Sequence, residues 1–401
     1  MKWKMVKLCE VISKKISGEW GVEAKDDNSV FVLRTTNFKN NGELCYENVV
    51  KRQIDRKKIE NKKMLSGDIL IEKSGGSPNQ PVGRVVYFAG DRKNIFLCNN
   101  FTSILRPNEK VHPKFLFRYL YSIYKKGKVL KYQNKTTGII NLKLDQYLKE
   151  EIPLPSLSDQ ERIAAILDKA DSIRKKRREA LEKCDEFLKH AFLDMFGDPA
   201  TNPKGWKVVD LKKLSIKIQI GPFGSQLHKK DYINDGIPLI NPKNIIDMKI
   251  IPQKSFTISK EKFNEFPKYH LKEGDIIMAR RGEMGRCALI TNKESNWFCG
   301  TGSLYVRPKR QLVNSTYLLR ILTDDYIKNI LNHESLGITM CNLNKGIVSK
   351  LPILLPPIEF QKQFAKIVER TEAMKSRMRS SLEELDNNFN KLMQMAFKGE
   401  L

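Results

Sequence analysis

Residues 152–163 read Ile-Pro-Leu-Pro-Ser-Leu-Ser-Asp-Gln-Glu-Arg-Ile, and here a region of mixed character gives way to a long helix. The two prolines exclude a helix across the start of this stretch. Ser158 and Glu161 have the spacing of a capping box, which predicts that a helix begins beside them. Its pattern continues unbroken to Phe196, and Gly197 is the residue type that commonly follows a helix.

The chain contains an internal repeat with a period near 200 residues. Seven landmarks return in the same order, and their offset stays between about 199 and 207 residues. Such ordered self-similarity predicts two tandem copies of one module, because a solenoid needs three or more short repeats. The matched segments are 3–8 with 206–211, 67–70 with 274–277, 82–85 with 284–287, 106–107 with 307–308, 115–120 with 317–322, 141–142 with 342–343, and 153–160 with 352–361.

Each copy ends in a helix too long to be buried by its own module. A helix of about 40 residues is about 60 Å long, whereas a module of about 155 residues is about 30–35 Å across. We therefore predict that the two helices pair as an antiparallel coiled coil; the alternative is that each docks on its own module. The predicted seam comprises Ile163, Leu167, Ala170, Ile173, Leu181, Cys184 and Leu188 in the first helix, and Phe364, Ile367, Met374, Met378, Leu385 and Leu392 in the second.

The resulting fold prediction is an α+β chain in which two pseudo-two-fold-related modules are separated by two long helices. Short β-rich runs bounded by Gly, Pro and Asn indicate the strands of each module. The predicted divisions are module one at 1–157, spacer helix one at 158–197, module two at 198–357 and spacer helix two at 358–401.

The positive charge lies in the modules and not in the helices. The chain has 72 Lys and Arg against 46 Asp and Glu, a net charge of +26. Module one contains 30 basic and 16 acidic residues, and module two contains 25 basic and 14 acidic residues. The predicted helices at 158–197 and 358–397 have net charges of 0 and +1. A membrane-surface protein would concentrate its basic residues on an amphipathic helix. Two basic modules joined by a neutral spacer indicate two binding sites for a polyanion, and duplex DNA is the first candidate.

The sequence lacks the common catalytic and targeting motifs. Residues 282–286 and 221–225 are glycine-rich, but neither has the spacing of a P-loop or a dinucleotide-binding turn. The seven cysteines have no CxxC spacing, which is typical of a reducing compartment. No apolar stretch has the length of a membrane span or of a signal-peptide core. These features predict a cytoplasmic binding protein without a metal or cofactor of its own.

The residues resemble the specificity subunits of type I restriction–modification systems along the whole chain. The resemblance is carried by 152–163, by its echo at 351–361, by the glycine-containing segments 221–225 and 67–70, and by the ending 396–401. It implies that each module is a target recognition domain reading one half of a bipartite asymmetric DNA site, and that the helices set the gap. It also implies two methylation subunits and, through the complex, motor–nuclease restriction subunits as partners. S-adenosylmethionine, ATP and Mg are then expected only on those partners, and this chain is expected to be non-catalytic.

Candidate DNA contacts follow from residue chemistry and from equivalent places in the two copies. Arg can read guanine and Asn can read adenine, while Lys and Ser mostly hold phosphates. We weigh these candidates against ordinary solvated surface charges. They are Arg34, Asn37, Lys73, Ser74, Ser77 and Arg84 in module one, and Ser225, Lys243, Asn244, Arg280, Arg281 and Arg286 in module two.

Three other functions remain open from the sequence. A stand-alone two-headed DNA-binding regulator would bind its operator tightly without partners. A methyltransferase or nuclease with an unrecognised site would bind S-adenosylmethionine or cleave DNA with a metal. A structural coiled-coil protein with basic modules that binds RNA would show no preference for duplex DNA.

Overall fold

A computed structural model describes residues 3–24, 29–77, 79–136, 139–224, 226–335 and 343–401. They form two compact units, one of residues 1–178 with 380–401 and the other of residues 179–379. Each unit therefore combines one module with parts of both long helices.

Module one is built from thirteen short strands and three α-helices among its described residues, and the first long helix follows it. Its strands are β1 (Lys4–Lys7), β2 (Ile12–Ser17), β3 (Val22–Glu23), β4 (Val30–Leu33), β5 (Val50–Gln53), β6 (Ile69–Glu72), β7 (Ser74–Gly75), β8 (Val85–Tyr87), β9 (Phe96–Cys98), β10 (Thr102–Pro107), β11 (Gln133–Thr136), β12 (Ile139–Leu142) and β13 (Glu151–Leu154). Its helices are α1 (Arg56–Lys62), α2 (Pro113–Lys125) and α3 (Leu144–Tyr147), and the long helix is α4 (Leu157–Phe196).

Two four-stranded sheets form the body of module one. The order β2-β10-β6-β8 is antiparallel throughout, whereas β3-β5-β4-β9 includes a parallel pair, β4 with β9. The pair β1 and β13 joins the start of the module to the segment that leads into α4. The main core lies where the first sheet and α2 meet the long helices, and Phe115, Phe389 and Ile163 are buried there.

Module two repeats this plan. Its strands are β14 (Lys207–Asp210), β15 (Ser215–Ile220), β16 (Tyr232–Ile233), β17 (Ile237–Ile240), β18 (Ile245–Ile246), β19 (Lys249–Ile250), β20 (Thr257–Ile258), β21 (Ile276–Ala279), β22 (Cys287–Leu289), β23 (Phe298–Cys299), β24 (Ser303–Pro308) and β25 (Pro352–Leu355). Its helices are α5 (Leu211–Leu214), α6 (Lys260–Glu265), α7 (Ser315–Leu322), α8 (Asp325–Ser335) and α9 (Lys345–Ser349), followed by the long helix α10 (Ile358–Lys398).

The two four-stranded sheets of module two match those of module one strand for strand, whereas the sheet β11-β12-β7 of module one has no counterpart among the described residues of module two. The order β15-β24-β21-β22 corresponds to β2-β10-β6-β8, and β16-β20-β17-β23 again contains one parallel pair, β17 with β23. A carboxylate buried before the central strand pairs with an arginine in both copies, as Asp68 with Arg106 and Asp275 with Arg307. The predicted repeat is therefore confirmed down to individual ion pairs.

The long helix α4 begins two residues earlier than the capping box predicted. The hydroxyl of Ser156 accepts a hydrogen bond from the backbone N–H of Asp159, so Ser156 is the cap and the predicted role of Ser158 is wrong. The expected end is confirmed, because Gly197 has a φ of +79° and its N–H donates to the Leu193 carbonyl.

The two long helices pair in an antiparallel sense. In the first unit, Arg174 and Arg178 of α4 contact Asp386 of α10, and the Arg174 guanidinium lies 4.2 Å from the Phe389 ring centre. In the second unit, Lys375 of α10 contacts Asp185 of α4. The first half of each helix thus packs against the second half of the other, as predicted.

The predicted seam is wrong at one position in each helix. Ile173 is 43% exposed and Met374 is 44% exposed, so neither side chain lies between the helices. The neighbouring residues Arg174 and Lys375 face the partner helix instead. In a heptad pattern the seam positions alternate by three and four residues, and each of these residues lies four positions after a seam residue, Ala170 or Thr371. Val368, Phe389, Met393 and Ala396 are packed apolar residues that the sequence analysis omitted.

Two buried glutamines fasten the long helices to the modules. Oε1 of Gln160 accepts from the His112 N–H at 2.7 Å, and Oε1 of Gln361 accepts from the Asn314 N–H at 2.8 Å. Their amide groups donate to the carbonyls of Pro155 and Pro356. Each side chain therefore joins a helix start to the helix α2 or α7 of its module.

Replacing Gln361 by Leu should lower the free energy of unfolding by about 1–3 kcal/mol, because the substitution leaves a buried N–H and a buried carbonyl unpaired. Gln363→Leu is the matched control, since Gln363 is exposed on the same helix, and it should change stability by less than about 0.5 kcal/mol. Urea unfolding of both variants measures the difference, and equal stabilities would contradict the fastening role.

Candidate nucleic-acid interface

A basic cavity opens beside the end of β6 in module one. Lys15 of β2, Lys73 and Lys143 line it together with the hydroxyl residue Ser17, and its volume is about 550 Å³. Asp145 also lines it and contacts Lys15, so two of the three ammonium groups have no ion-pair partner among the described residues. A concave site with surplus ammonium groups and hydroxyls is suited to holding phosphate groups.

Lys73 and Arg280 occupy equivalent backbone positions in the two modules. The N–H of Lys73 donates to the Phe101 carbonyl, and the N–H of Arg280 donates to the Gly302 carbonyl. The carbonyl of each then accepts from a leucine N–H, Leu142 for Lys73 and Leu343 for Arg280. The predicted correspondence between these two segments is confirmed, although the side chains that follow differ in exposure.

The two serines that follow Lys73 lie in paired backbone and not in an open loop. Ser74 lies in β7, which pairs with β12, and Ser77 exchanges backbone hydrogen bonds with Gln80. Lys73 and Ser74 are half-buried and Ser77 is exposed. All three stay candidate DNA contacts.

Asn37 and Asn244 have a structural role, which corrects their assignment as base contacts. Asn37 is 2% exposed; its Oδ1 accepts from the Arg34 N–H, and its Nδ2 donates to the Cys45 carbonyl. Asn244 is fully buried and makes the same bonds, with the Asn241 N–H and the Ile251 carbonyl. A buried amide that is bonded to backbone groups on both sides holds a loop, and its burial keeps it out of reach of a base.

Arg84 and Arg280 are also internal, which again corrects the prediction. Arg84 is 8% exposed and forms a two-bond ion pair with buried Glu72, at 2.8 and 3.0 Å. Arg280 is 6% exposed and donates through Nε to the Leu343 carbonyl. Burial, followed by the neighbouring charge of Arg281, lowers the pKa of the Arg280 guanidinium below its usual value.

The remaining candidates keep groups accessible to solvent. Arg281 and Lys243 are exposed, and the Lys243 ammonium lies 3.0 Å from the centre of the Phe256 ring. Arg34 is half-buried and donates to the Asn48 carbonyl. Arg286 is half-buried, and Ser225 lies outside the described residues.

Sequence reasoning missed Lys15 and Lys143 as companions of Lys73. The three lysines come from distant parts of the module and meet only after the sheet and α3 have formed. A repeat comparison could not find them, because Lys143 corresponds to Asn344 in module two and the basic residue is not repeated.

The described parts of the chain show no sign of a metal centre or a membrane span. Among them, no three His, Cys, Asp or Glu side chains are grouped so that they could hold a metal ion. Within the same residues, no helix has the length and hydropathy needed to cross a bilayer.

Comparison with known proteins decides the family. The profile of the family described as "Type I restriction modification DNA specificity domain" matches residues 1–183 and, a second time, residues 203–385. The chain belongs to this family. Its function is accordingly that of a DNA specificity subunit, which is a non-catalytic component of a type I system.

Relatives and solved structures agree with this assignment. The MjaVIII specificity subunit of Methanocaldococcus jannaschii is 23% identical over 365 residues, which cover 86% of this chain and 82% of the relative. The StySPI specificity subunit of Salmonella potsdam is 23% identical over 369 residues, covering 85% and 76%. The crystal structure of the type I restriction–modification S subunit from M. genitalium has the same fold, with a TM-score of 0.61, 15% identity and coverage of 99% and 96%.

Replacing Arg84 by Met should lower the free energy of unfolding by about 3–5 kcal/mol, because the charge of Glu72 would stay buried without a partner. Arg281→Met, at an exposed position of module two, should change stability by less than about 0.5 kcal/mol. Chemical denaturation of the two variants is the measurement. A fully stable Arg84→Met protein with weakened DNA binding would restore Arg84 as a DNA contact.

Proposed function

We propose that this specificity subunit reads a bipartite, asymmetric DNA site, one half with each module. The observation that carries the proposal is that the modules share a backbone plan but differ where side chains follow the central strand. Half-buried Ser74 in module one corresponds to exposed Arg281 in module two, one residue after the equivalent positions of Lys73 and Arg280. Equivalent frames with different side chains present different hydrogen-bonding groups to base edges, so the two halves of the site should differ.

The long helices supply the spacer of this proposal. DNA presents similar faces every 10–10.5 base pairs, or about 34–36 Å. Helices of 40 and 41 residues are each about 60 Å long, which is enough to set a gap of this order. Helix length then determines the gap, and module sequence determines the bases read.

The subunit is further proposed to recruit two methylation subunits and, through them, the restriction subunits. The internal symmetry supports two copies, because equivalent surfaces can bind two identical partners. Ile173 and Met374 are one such pair of equivalent positions, and both expose apolar side chains on the long helices. S-adenosylmethionine, ATP and Mg would be bound by those partners. A complex that recognises and modifies DNA would be located in the cytoplasm.

Family membership favours this function over the other hypotheses. A stand-alone regulator would need no surface for methylation subunits, and an enzyme would need a catalytic cluster. The double match to a DNA specificity domain supports DNA recognition in both modules.

Co-expression with the methylation subunit encoded beside it should produce N6-methyladenine at one split, asymmetric motif in host DNA. Mapping of modified bases should show that the motif disappears when this chain is omitted. Arg281→Gln should relax recognition in one half of the motif only, whereas Lys73→Gln, which removes a phosphate contact, should reduce methylation without changing the bases of the motif. Methylation that persists without the chain, or an Arg281→Gln variant that alters both halves, would refute the proposal.

A further inference from the structure

Each module has two arginines at positions that are equivalent under the repeat. The backbone carbonyl of Arg84 accepts a hydrogen bond from the N–H of Glu72, the last residue of β6, at 2.9 Å. The carbonyl of Arg286 likewise accepts from the N–H of Ala279, the last residue of β21, at 2.9 Å. Arg118 in α2 and Arg320 in α7 lie six residues after the backbone groups that the fastening glutamines hold. The repeat thus provides an internal comparison for both side chains.

Module one neutralises both arginines with its own carboxylates. Arg84 pairs with Glu72, and Arg118 pairs with Asp168 at 2.8 Å and with Asp171 at 3.0 Å. Burial alone would raise the pKa of Asp168, but hydrogen bonds from Lys114 and Arg118 hold it below its usual value.

Module two does not neutralise its two arginines in this way. Ala279 stands where module one has Glu72. The counterparts of Asp168 and Asp171 are Glu369 and Glu372, but among the described residues neither carboxylate pairs with Arg320, and Glu372 contacts Lys375 at 2.6 Å instead. The Nε atoms of Arg286 and Arg320 are buried, and neither has a hydrogen-bond partner. Within the described residues, the one carboxylate within 4.0 Å of either guanidinium is that of Glu283, which lies 3.7 Å from Arg286 and is 72% exposed.

The two arginines line one cavity of about 340 Å³ together with Lys328. The stem of Lys328 passes close to Gly285, where a Cβ would lie 2.5 Å from its Cγ, so the glycine admits the lysine. Asp247 and Glu283 also line the cavity, and both are exposed. The Nε donors of Arg286 and Arg320 are therefore unused, whereas the Lys328 ammonium lies 3.3 Å from the carboxylate of Asp325, which is 87% exposed.

We propose that this cavity of module two binds a phosphate-type oxyanion, which takes the place of the carboxylates that neutralise the equivalent arginines of module one. Two guanidinium forks and an ammonium match the several acceptor oxygens and the charge of a phosphate group. The phosphate is either a phosphodiester of bound DNA or a free phosphate ion, and the chemistry of recognition is the same for both.

The first experiment measures thermal unfolding of the full chain in inorganic phosphate and in chloride of equal ionic strength. A ligand of the folded state raises the unfolding temperature as its concentration rises, so phosphate should stabilise the wild-type protein beyond chloride. Ala279→Glu restores the carboxylate of module one and should abolish this difference. Gln253→Glu adds the same charge at an exposed position of module two and should retain it.

Arg320→Gln is the second variant, for the case that a glutamate at position 279 prevents folding. It removes one charged donor and should weaken phosphate binding about 10- to 100-fold. Equal effects of phosphate and chloride on the wild-type protein would overturn the proposal, as would a phosphate effect that survives in both Ala279→Glu and Arg320→Gln.

The second experiment identifies the source of the phosphate by measuring duplex DNA binding of the full chain over a range of salt concentrations. If a DNA phosphodiester fills the cavity, Ala279→Glu should reduce the slope of log affinity against log salt by about 0.9. If free phosphate fills it, the slope should stay unchanged while the thermal effect is lost, and the proposal stands for the free ion. Since the first experiment contains no DNA, its failure is distinguishable from a failure of the proposed DNA recognition.

Discussion

The antiparallel pairing of α4 and α10 is the constraint on which the rest of the structure depends. Neither module completes its core alone. The core of module one includes Ile163 from α4 and Phe389 from α10, and that of module two includes Phe192 from α4 and Phe364 from α10. Each module thus folds on a platform made of parts of both long helices.

Polar pairs in the middle of the helices give this pairing a defined register. An apolar seam of regular spacing tolerates a shift of a whole heptad, whereas a charged residue in the seam requires its partner opposite. Arg174 with Asp386 and Lys375 with Asp185 are equivalent under the repeat. A shift in register would separate both pairs, so one antiparallel arrangement is favoured over its neighbours.

The sequence predicted the features that depend on pattern and missed those that depend on contact. Repeat order, helix length and the location of charge can be read from spacing and composition, and they led to the two-module fold. The side-chain roles could not be read in that way. Arg84 was assigned to DNA by its residue type, but Glu72 twelve positions earlier meets it only when β6 and β8 pair. Ile173 was preferred to Arg174 for its hydrophobicity, although strict heptad spacing places the arginine in the seam.

The same repeat that organises the fold also separates its functions. Positions that keep their residue in both copies, such as the fastening glutamines and the Asp–Arg pairs, stabilise the frame. Positions that differ, such as Ser74 and Arg281 or Glu72 and Ala279, are free to change what each module binds. A subunit whose two modules share one backbone plan can change the side chains that contact DNA in one module. It can then recognise a new half of the DNA site while the paired long helices stay unchanged.

The most direct test of this account is to lengthen the platform without changing the modules. Four residues of helix-forming sequence would be inserted after Arg178 in α4 and after Arg379 in α10, adding about 6 Å to each helix. The methylation motif of the assembled complex would then be mapped in host DNA. The account predicts the original two half-sites with a longer gap between them. An unchanged gap, or half-sites with different bases, would contradict it.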